Sequence, residues 1–376
     1  MAANRKRPLE FRKEDVEYIT QKWQASASCA VVGIGSAGKS NLLQHLIDPD
    51  VQAHYMGESA ASFKSIVIDA NMLGPLPSPN APDAEQVRCW AGYELMMHRL
   101  YLAFYPFEML SPDEARRFYD CYTALQDGTN PLYAYMALRY FELGLEFFMR
   151  KNIKIAFLFD EFDEMLRQMP VKFFQTLRGI RDANKNRIVY LTFTRSPLVT
   201  VVERLNIPML DIEPFIELFT DNVHYVGPYN ETDARQMVED LSRRNKISYP
   251  EPIPTLLLQA TGRYAGILRA GFNLLEEFSN VNLAEQDVDS MASLLASKPA
   301  IRTECRTIWT SLNRSEQYVL KAVARLTPYN VSEETEHAVA MLVQKRLLKL
   351  NKAKQTLEIE PPVFRVFVAS NPDPSS

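Results

Sequence analysis

The eight residues from Gly33 to Ser40 fit the pattern G-x-x-x-x-G-K-[ST], which is typical of a phosphate-binding loop. Glycine lets backbone N–H groups curl around a phosphate because no Cβ blocks the approach. In such loops the lysine, here Lys39, neutralises the β- and γ-phosphates, and the hydroxyl of Ser40 holds Mg²⁺. The sequence therefore predicts a site for ATP or ADP with Mg²⁺. The predicted nucleotide-binding residues in this region are Gly33, Gly35, Ser36, Ala37, Gly38, Lys39, Ser40 and Asn41.

A second group of polar residues follows an apolar run at positions 155–159. The run is typical of a central strand in a parallel sheet, and acids at its carboxyl end would lie where open α/β sheets bind ligands. Asp160 is predicted to orient Mg²⁺ through water, and Glu161 to polarise the water that attacks ATP. The alternative is an ordinary strand followed by an acidic helix N-terminus, which is favourable in its own right.

A third strand is predicted at 187–196, and its end carries the polar residues Thr194 and Arg195. A cation at this level would distinguish ATP from ADP by the charge of the γ-phosphate, and Arg195 is the predicted catalytic cation. The alternative is a surface arginine that closes a strand. Lys39, Glu161 and Arg195 are thus the residues to which catalysis is assigned.

The elements that must position these residues are strands alternating with helices, which predicts an α/β fold with a parallel-sheet P-loop NTPase core. Residues 30–32 and 62–70 are predicted strands, and 41–47 a helix. Four prolines between positions 75 and 82 indicate a surface loop. The helices expected from 84 to 150 are rich in aromatic residues, which favours a packed core over a platform for stacking bases. Those aromatic residues are Tyr101, Phe104, Tyr105, Phe107, Phe118, Tyr119 and Tyr122.

Together these motifs resemble the STAND class of signalling ATPases, a branch of the AAA+ lineage. The match includes Asp-Glu-Phe-Asp at 160–163, Thr194-Arg195 and the helix at 173–182. In that class the arginine senses the terminal phosphate. The resemblance implies a molecular switch that binds ATP and hydrolyses it slowly.

The resemblance continues into a small helical lid. Residues 226–229 look like its start, with Pro228 implied to contact the nucleotide. Residues 261–269 look like the helix Thr-Gly-Gly-x-Pro-Gly-Leu-Leu-Arg of the family, although Arg263 replaces a glycine and Ala265 the usual proline. Arg269 is implied to be a second sensor, the alternative being a helix-surface arginine.

The C-terminal residues predict a winged-helix domain. Helices begin at the capping residues Asn313 or Ser315 and Ser332, a β-wing spans 348–359, and a closing strand is expected at 364–368. The predicted domains are 1–225 for the P-loop nucleotide-binding domain with its N-terminal helix, 226–301 for the helical lid, and 302–376 for the winged helix.

The expected recognition helix begins with three carboxylates within residues 332–337, which disfavours sequence-specific reading of DNA. Basic residues at the helix end and wing nevertheless provide a way to contact the phosphate backbone. The interpretation favours protein contact or autoinhibition over DNA reading. The basic residues are Lys345, Arg346, Lys349, Lys352 and Lys354.

Overall composition restricts the function further. The chain has 376 residues and a formal net charge of −4, so it lacks the global positive charge of many nucleic-acid-binding proteins. Its four cysteines have no metal-site spacing, and no apolar run approaches the ~20 residues that a membrane span needs. A reduced, cytoplasmic setting is expected, with no membrane association.

These observations predict an ATP-dependent switch that changes its domain arrangement or assembly with nucleotide state. It would act through a protein partner or self-assembly, possible roles being defence or regulatory signalling. The alternative is a DNA-binding AAA+ ATPase of the initiator or transposition type, in which DNA binds the winged helix and Arg178 or Arg181 serves as an arginine finger. A third alternative is a module that holds nucleotide without turnover.

Overall fold

The computed structural model has the predicted α/β fold with a P-loop ATPase core. None of its described helices is long and apolar enough to cross a membrane. Lys352 and Lys354, which were expected in the wing, lie outside the described residues. The described residues are 7–128, 130, 132–278, 282–351 and 356–370.

The chain forms two compact units. The first comprises Met1–Val31 and Leu42–His224, and the second comprises Val32–Asn41 and Tyr225–Ser376. The phosphate-binding loop therefore falls in the same unit as the segments predicted to form the lid and the winged helix.

Five strands build one sheet, and two more form a hairpin in the second unit. The strands are β1 (Cys29–Val32), β2 (Phe63–Asp69), β3 (Lys154–Asp160), β4 (Ile188–Thr194), β5 (Val223–Tyr225), β6 (Leu348–Asn351) and β7 (Thr356–Ile359).

The strand order of the sheet is β2-β3-β4-β1-β5. β3 pairs in parallel with β2 and β4, and in this register Asp69 lies opposite Asp160. β4 is buried along its whole length and β3 at all but its end residues, as continuous apolar strands in a parallel sheet should be. The parallel arrangement brings the polar residues that end β3 and β4 to one edge of the sheet.

Helices account for most of the remaining chain, and they follow the apolar periodicity of the sequence. The α-helices are α1 (Lys13–Gln24), α2 (Lys39–Leu46), α3 (Pro49–Met56), α4 (Ala84–Phe104), α5 (Pro112–Gln126), α6 (Tyr133–Met149), α7 (Phe162–Gln168), α8 (Val171–Ala183), α9 (Leu198–Arg204), α10 (Met209–Ile216), α11 (Glu231–Asn245), α12 (Ile253–Thr261), α13 (Ala265–Leu274), α14 (Val288–Ala296), α15 (Pro299–Thr310), α16 (Arg314–Arg325), α17 (Glu333–Gln344) and α18 (Pro362–Ser370).

Aromatic packing joins α4, α5 and α6. The rings of Phe104 and Phe148 stack with centroids 3.8 Å apart, and Phe118 is fully buried beside them. Tyr105 and Tyr119, which were also expected in the core, are 64% and 49% exposed. Tyr119 directly follows Phe118 on α5, so the helical turn of about 100° per residue directs its ring away from that core.

The C-terminal module begins as predicted but ends differently. Asn313 caps α16 and Ser332 caps α17, each through a reciprocal capping box. The strand expected at 364–368 is instead part of the helix α18. Its buried residues Phe364 and Phe367 recur at helical spacing, which buries one side of a helix, whereas a strand would place them on opposite faces.

Lys345 does not reach solvent, contrary to its expected role in gripping a DNA backbone. Its Nζ lies 2.6 Å from Oε1 of Glu316, and the two side chains are only 2% and 1% exposed. Because a buried ammonium needs a counter-charge, this ion pair links the end of α17 to the start of α16. Arg346 and Lys349 remain exposed.

Candidate functional site

The phosphate-binding loop connects β1 to α2, as its sequence pattern predicts. Gly38 has φ +89°, and a Cβ there would lie 3.1 Å from the hydroxyl of Tyr229, so glycine is favoured both by the backbone conformation and by the space available. Ser36 also has a positive φ, of 64°. Successive residues of this kind turn N–H groups toward one point, which creates an anion-binding concavity.

Lys39 keeps its ammonium inside this loop. Its Nζ donates hydrogen bonds to the carbonyl oxygens of Gly33 and Ile34, the second at 3.4 Å. Ser40, the predicted Mg²⁺ ligand, is exposed on the first turn of α2. A cation beside N–H donors at a helix N-terminus is an arrangement that binds phosphate oxygens.

Tyr229 is a residue of this region to which the sequence pattern assigned no role. Nδ2 of Asn41 donates a hydrogen bond to its hydroxyl oxygen over 2.6 Å, and the ring is 3% exposed. It directly follows Pro228, which is half-buried. The contact fixes the start of the lid segment against the phosphate-binding loop, so Asn41 serves here as a structural donor.

The lid helix α13 also meets the loop. The backbone N–H of Gly266 donates to the carbonyl oxygen of Ser36 over 3.0 Å, and Ala265 lies close to Gly38. Alanine at this position therefore leaves the contact between lid and loop in place. Arg269, the predicted second sensor, is exposed one turn further along the same helix.

Tyr264 supports α13 from its N-terminal side. It is fully buried, and its hydroxyl donates to the carbonyl oxygen of Arg346 over 2.9 Å. Burial raises the pKa of this phenol well above its usual value, so the hydroxyl remains a proton donor at neutral pH.

A carboxylate also reaches the loop. Ser36 Oγ donates a hydrogen bond to Oε2 of Glu304, a residue of α15. Thr307, on the same face of α15, lies so close to Gly35 that a Cβ on this glycine would be 2.6 Å from the threonine methyl group. The contact could not have been found from the sequence, because Glu304 belongs to no motif and lies far from the loop along the chain.

In the first unit, the end of β3 presents Asp160 and Glu161. Oδ1 of Asp160 accepts a hydrogen bond from the backbone N–H of Glu161 over 3.0 Å, and Glu161 has φ 45°. Oε2 of Glu161 forms an ion pair with Nη2 of Arg195 at 3.2 Å, with both side chains about 40% exposed. The structure therefore brings together two of the three predicted catalytic residues.

Asp163 positions the arginine of that pair. One of its oxygens accepts from the backbone N–H of Arg195 over 3.2 Å, and the other pairs with Arg204 at 3.1 Å. Thr194, just before the arginine, is fully buried, and its hydroxyl has no hydrogen-bond partner among the described residues. The end of β4 is thus fixed by α7 and α9, with an unsatisfied hydroxyl beside the arginine.

Hydroxyl and carboxylate oxygens are the protein ligands that the predicted Mg²⁺ would take. No cluster of three or more His, Cys, Asp or Glu capable of holding a metal occurs in the described part of the chain. Mg²⁺ usually needs only one or two protein oxygens, with water and substrate phosphates completing its shell. Ser40, in the second unit, and Asp160, in the first, each carry an oxygen of this kind.

Comparisons with known proteins agree with the fold. No protein-family model matches the chain, and no curated protein matches it. Among solved structures, a Walker-type ATPase of Pyrococcus abyssi has a TM-score of 0.51 at 16% identity, with 96% of this chain and 98% of that chain covered.

Two further solved structures are similar over nearly the whole chain. The ORC2 protein of Aeropyrum pernix, in ADPNP–ADP complexes, has 13% identity and a TM-score of 0.49, covering 97% of this chain and 96% of that chain. Cdc6p of Pyrobaculum aerophilum has 11% identity and a TM-score of 0.43, covering 98% and 96%. At such low identity the comparisons show the fold alone, an α/β fold with a P-loop ATPase core.

Proposed function

We propose that this chain, which has the fold of a Walker-type ATPase, binds ATP and hydrolyses it slowly as a molecular switch. The observation that carries the proposal is the loop from Gly33 to Ser40, with its lysine ammonium held inside the loop and its N–H donors at the start of α2. This arrangement provides the positive potential that nucleotide phosphates require.

Each polar residue of the site then has a role. Lys39 would neutralise the β- and γ-phosphates, while Ser40 and Asp160 would hold Mg²⁺, which supplies further positive charge to the transferring phosphoryl group. Glu161 would accept a hydrogen bond from the attacking water and orient it. Pro228 and Arg269 would contact the nucleotide from the lid.

Arg195 would link nucleotide state to catalysis. In the structure its guanidinium pairs with Glu161. This pair occupies the carboxylate that would otherwise orient the attacking water. A γ-phosphate carries more negative charge than one carboxylate and would draw the guanidinium away from Glu161. ADP, which lacks that group, would leave the pair intact, so ATP and ADP would favour different states.

The output of the switch would come from the second unit, through a protein partner or self-assembly as in the STAND class. The contacts that carry this part of the proposal are those of the lid and α15 with the phosphate-binding loop. They give the loop direct connections to elements that a partner could recognise.

Nucleotide-dependent DNA binding of the initiator type is the second candidate. It is supported by the winged-helix topology of α16, α17 and the β6–β7 hairpin, and by the exposed cations Arg346 and Lys349. The three acids at the start of α17 and the burial of Lys345 oppose tight binding to phosphates.

Two substitutions test the main proposal. Lys39→Ala should abolish binding of a fluorescent ATP analogue, because the phosphates lose their principal cation. Glu161→Gln should preserve that binding but reduce steady-state phosphate release by about 100-fold or more, since a neutral amide is a much weaker acceptor than a carboxylate for the hydrogen bond that orients and polarises the attacking water. The exposed residues Lys172 and Glu203 provide matched controls as Lys172→Ala and Glu203→Gln. Unchanged turnover in Glu161→Gln would show that the catalytic assignment is wrong.

A further inference from the structure

The helix α15 contacts the phosphate-binding loop through the side chains of Glu304 and Thr307. The carboxylate of Glu304 accepts a hydrogen bond from Ser36, and it lies so close to Gly266 of the lid that a Cβ there would be 2.4 Å from Oε2 of Glu304. Thr307 packs on Gly35 in the same way. Two glycines therefore make room for one face of α15.

Glu304 is the only acidic residue on α15. A loop that presents N–H donors, a helix N-terminus and a lysine ammonium favours any anion, whether it is a phosphate or a carboxylate. The hydrogen bond from Ser36 is of the strong class, because its acceptor is charged. A nucleotide phosphate entering the same loop would meet like charge from Glu304 at short range.

We infer that Glu304 is a built-in competitor of the nucleotide phosphates, and that nucleotide binding separates α15 from the phosphate-binding loop. This inference rests on the proposed nucleotide site and adds its regulation. α16 begins only four residues after α15 ends, so displacement of α15 is transmitted to the winged helix. The carboxylate thereby couples occupation of the loop to the position of the C-terminal module.

The first test is nucleotide affinity. Glu304→Gln retains the size of the side chain but removes its charge, and should bind ADP and a non-hydrolysable ATP analogue roughly tenfold more tightly, which is the effect of one charge-assisted hydrogen bond. Glu304→Ala should act in the same direction. Glu276→Gln, at an exposed glutamate of the same unit, should leave the affinity unchanged. Equal affinity of wild type and Glu304→Gln would overturn the inference.

The second test detects the contact without relying on nucleotide. In the double variant Ser36→Cys/Glu304→Cys, a short bifunctional thiol reagent should cross-link the two thiols within one chain, and in Ser36→Cys/Glu276→Cys it should not. Cys121→Ser removes a partly exposed thiol from the background. Burial raises the pKa of the neighbouring Cys305 to about 12, so this thiol remains protonated and unreactive.

The affinity measurement and the cross-linking measurement together separate this inference from the proposed function. ATP should slow the cross-linking of the double variant, and failure of the two thiols to cross-link would overturn the inference even if ATP binds. If the cross-link forms readily but neither the wild type nor Glu304→Gln binds nucleotide, the proposed function is overturned instead.

Discussion

At the residue scale, the partners of Arg195 would decide which state the proposed switch adopts. Its backbone is held by Asp163, whereas among the described residues its side chain is bound through a half-exposed pair with Glu161. An exposed pair of this kind contributes about 0–1 kcal/mol to stability. The backbone of Arg195 is therefore fixed, whereas its guanidinium can exchange Glu161 for another anion, as the proposed charge sensor requires.

Replacing Arg195 with glutamine should remove discrimination between ATP and ADP without unfolding the protein. We expect the ratio of the two dissociation constants, measured with ADP and a non-hydrolysable ATP analogue, to fall by about tenfold, because one charge-assisted contact is lost. The unfolding midpoint should change little. Arg167→Gln breaks a comparable surface pair with Glu164 and serves as the control. An unaltered ratio in Arg195→Gln would rule out the sensor role.

At the element scale, the winged helix depends on a buried ion pair rather than on apolar packing alone. Glu316 accepts a hydrogen bond from the backbone N–H of Asn313 with one oxygen and binds Lys345 with the other. One carboxylate therefore caps α16 and fastens it to the end of α17. Such a pair fixes the register of two helices even when its net contribution to stability is small.

Lys345→Met should destabilise the protein by about 3–5 kcal/mol, because Glu316 is left charged and buried without a partner. The double variant Glu316→Gln/Lys345→Met should recover much of that loss, since glutamine retains an oxygen for the capping bond and carries no charge. Urea-induced unfolding measures both changes. Lys321→Met, on α16, is the control for adding a methionine. Equal losses of stability in the single and double variants would show that the unpaired charge of Glu316 does not cause the destabilisation.

At the scale of the whole molecule, the function depends on whether nucleotide state alters the second unit. The lid through Tyr229 and Gly266, and α15 through Glu304, all contact the phosphate-binding loop. Because these contacts involve backbone and side-chain groups of the loop itself, we expect a ligand bound there to affect them. A switch therefore follows more directly from this arrangement than a site that merely stores nucleotide.

Sedimentation and DNA binding compared in ADP and in a non-hydrolysable ATP analogue should distinguish the two candidate outputs. We expect the sedimentation coefficient to change between the two nucleotides, whereas DNA affinity stays weak and similar in both. Arg346→Gln/Lys349→Gln should leave this affinity unaltered. A DNA affinity that rises with one nucleotide, depends steeply on salt and falls in the double variant would instead support the initiator-type function.

Several features could be predicted from local sequence because local spacing specifies them. The loop from Gly33 to Ser40 needs glycines and a lysine within eight residues, and β3 needs an apolar run that ends in acids. Helix starts at Asn313 and Ser332 follow from capping residues within one turn. The segment at 364–368, for which the strand prediction is wrong, is short and apolar. The spacing of its apolar residues alone therefore does not distinguish a strand from a helix.

The remaining features depend on residues that are far apart in the chain. Nothing near Lys345 indicates that Glu316 will bury its ammonium, and nothing near Glu304 indicates that it will reach Ser36. Side chains acquire such partners when elements pack, and the free energy of a buried charge is set by its surroundings rather than by its neighbours in sequence. Local sequence thus specifies a phosphate-binding loop, whereas long-range packing specifies which carboxylate competes for it.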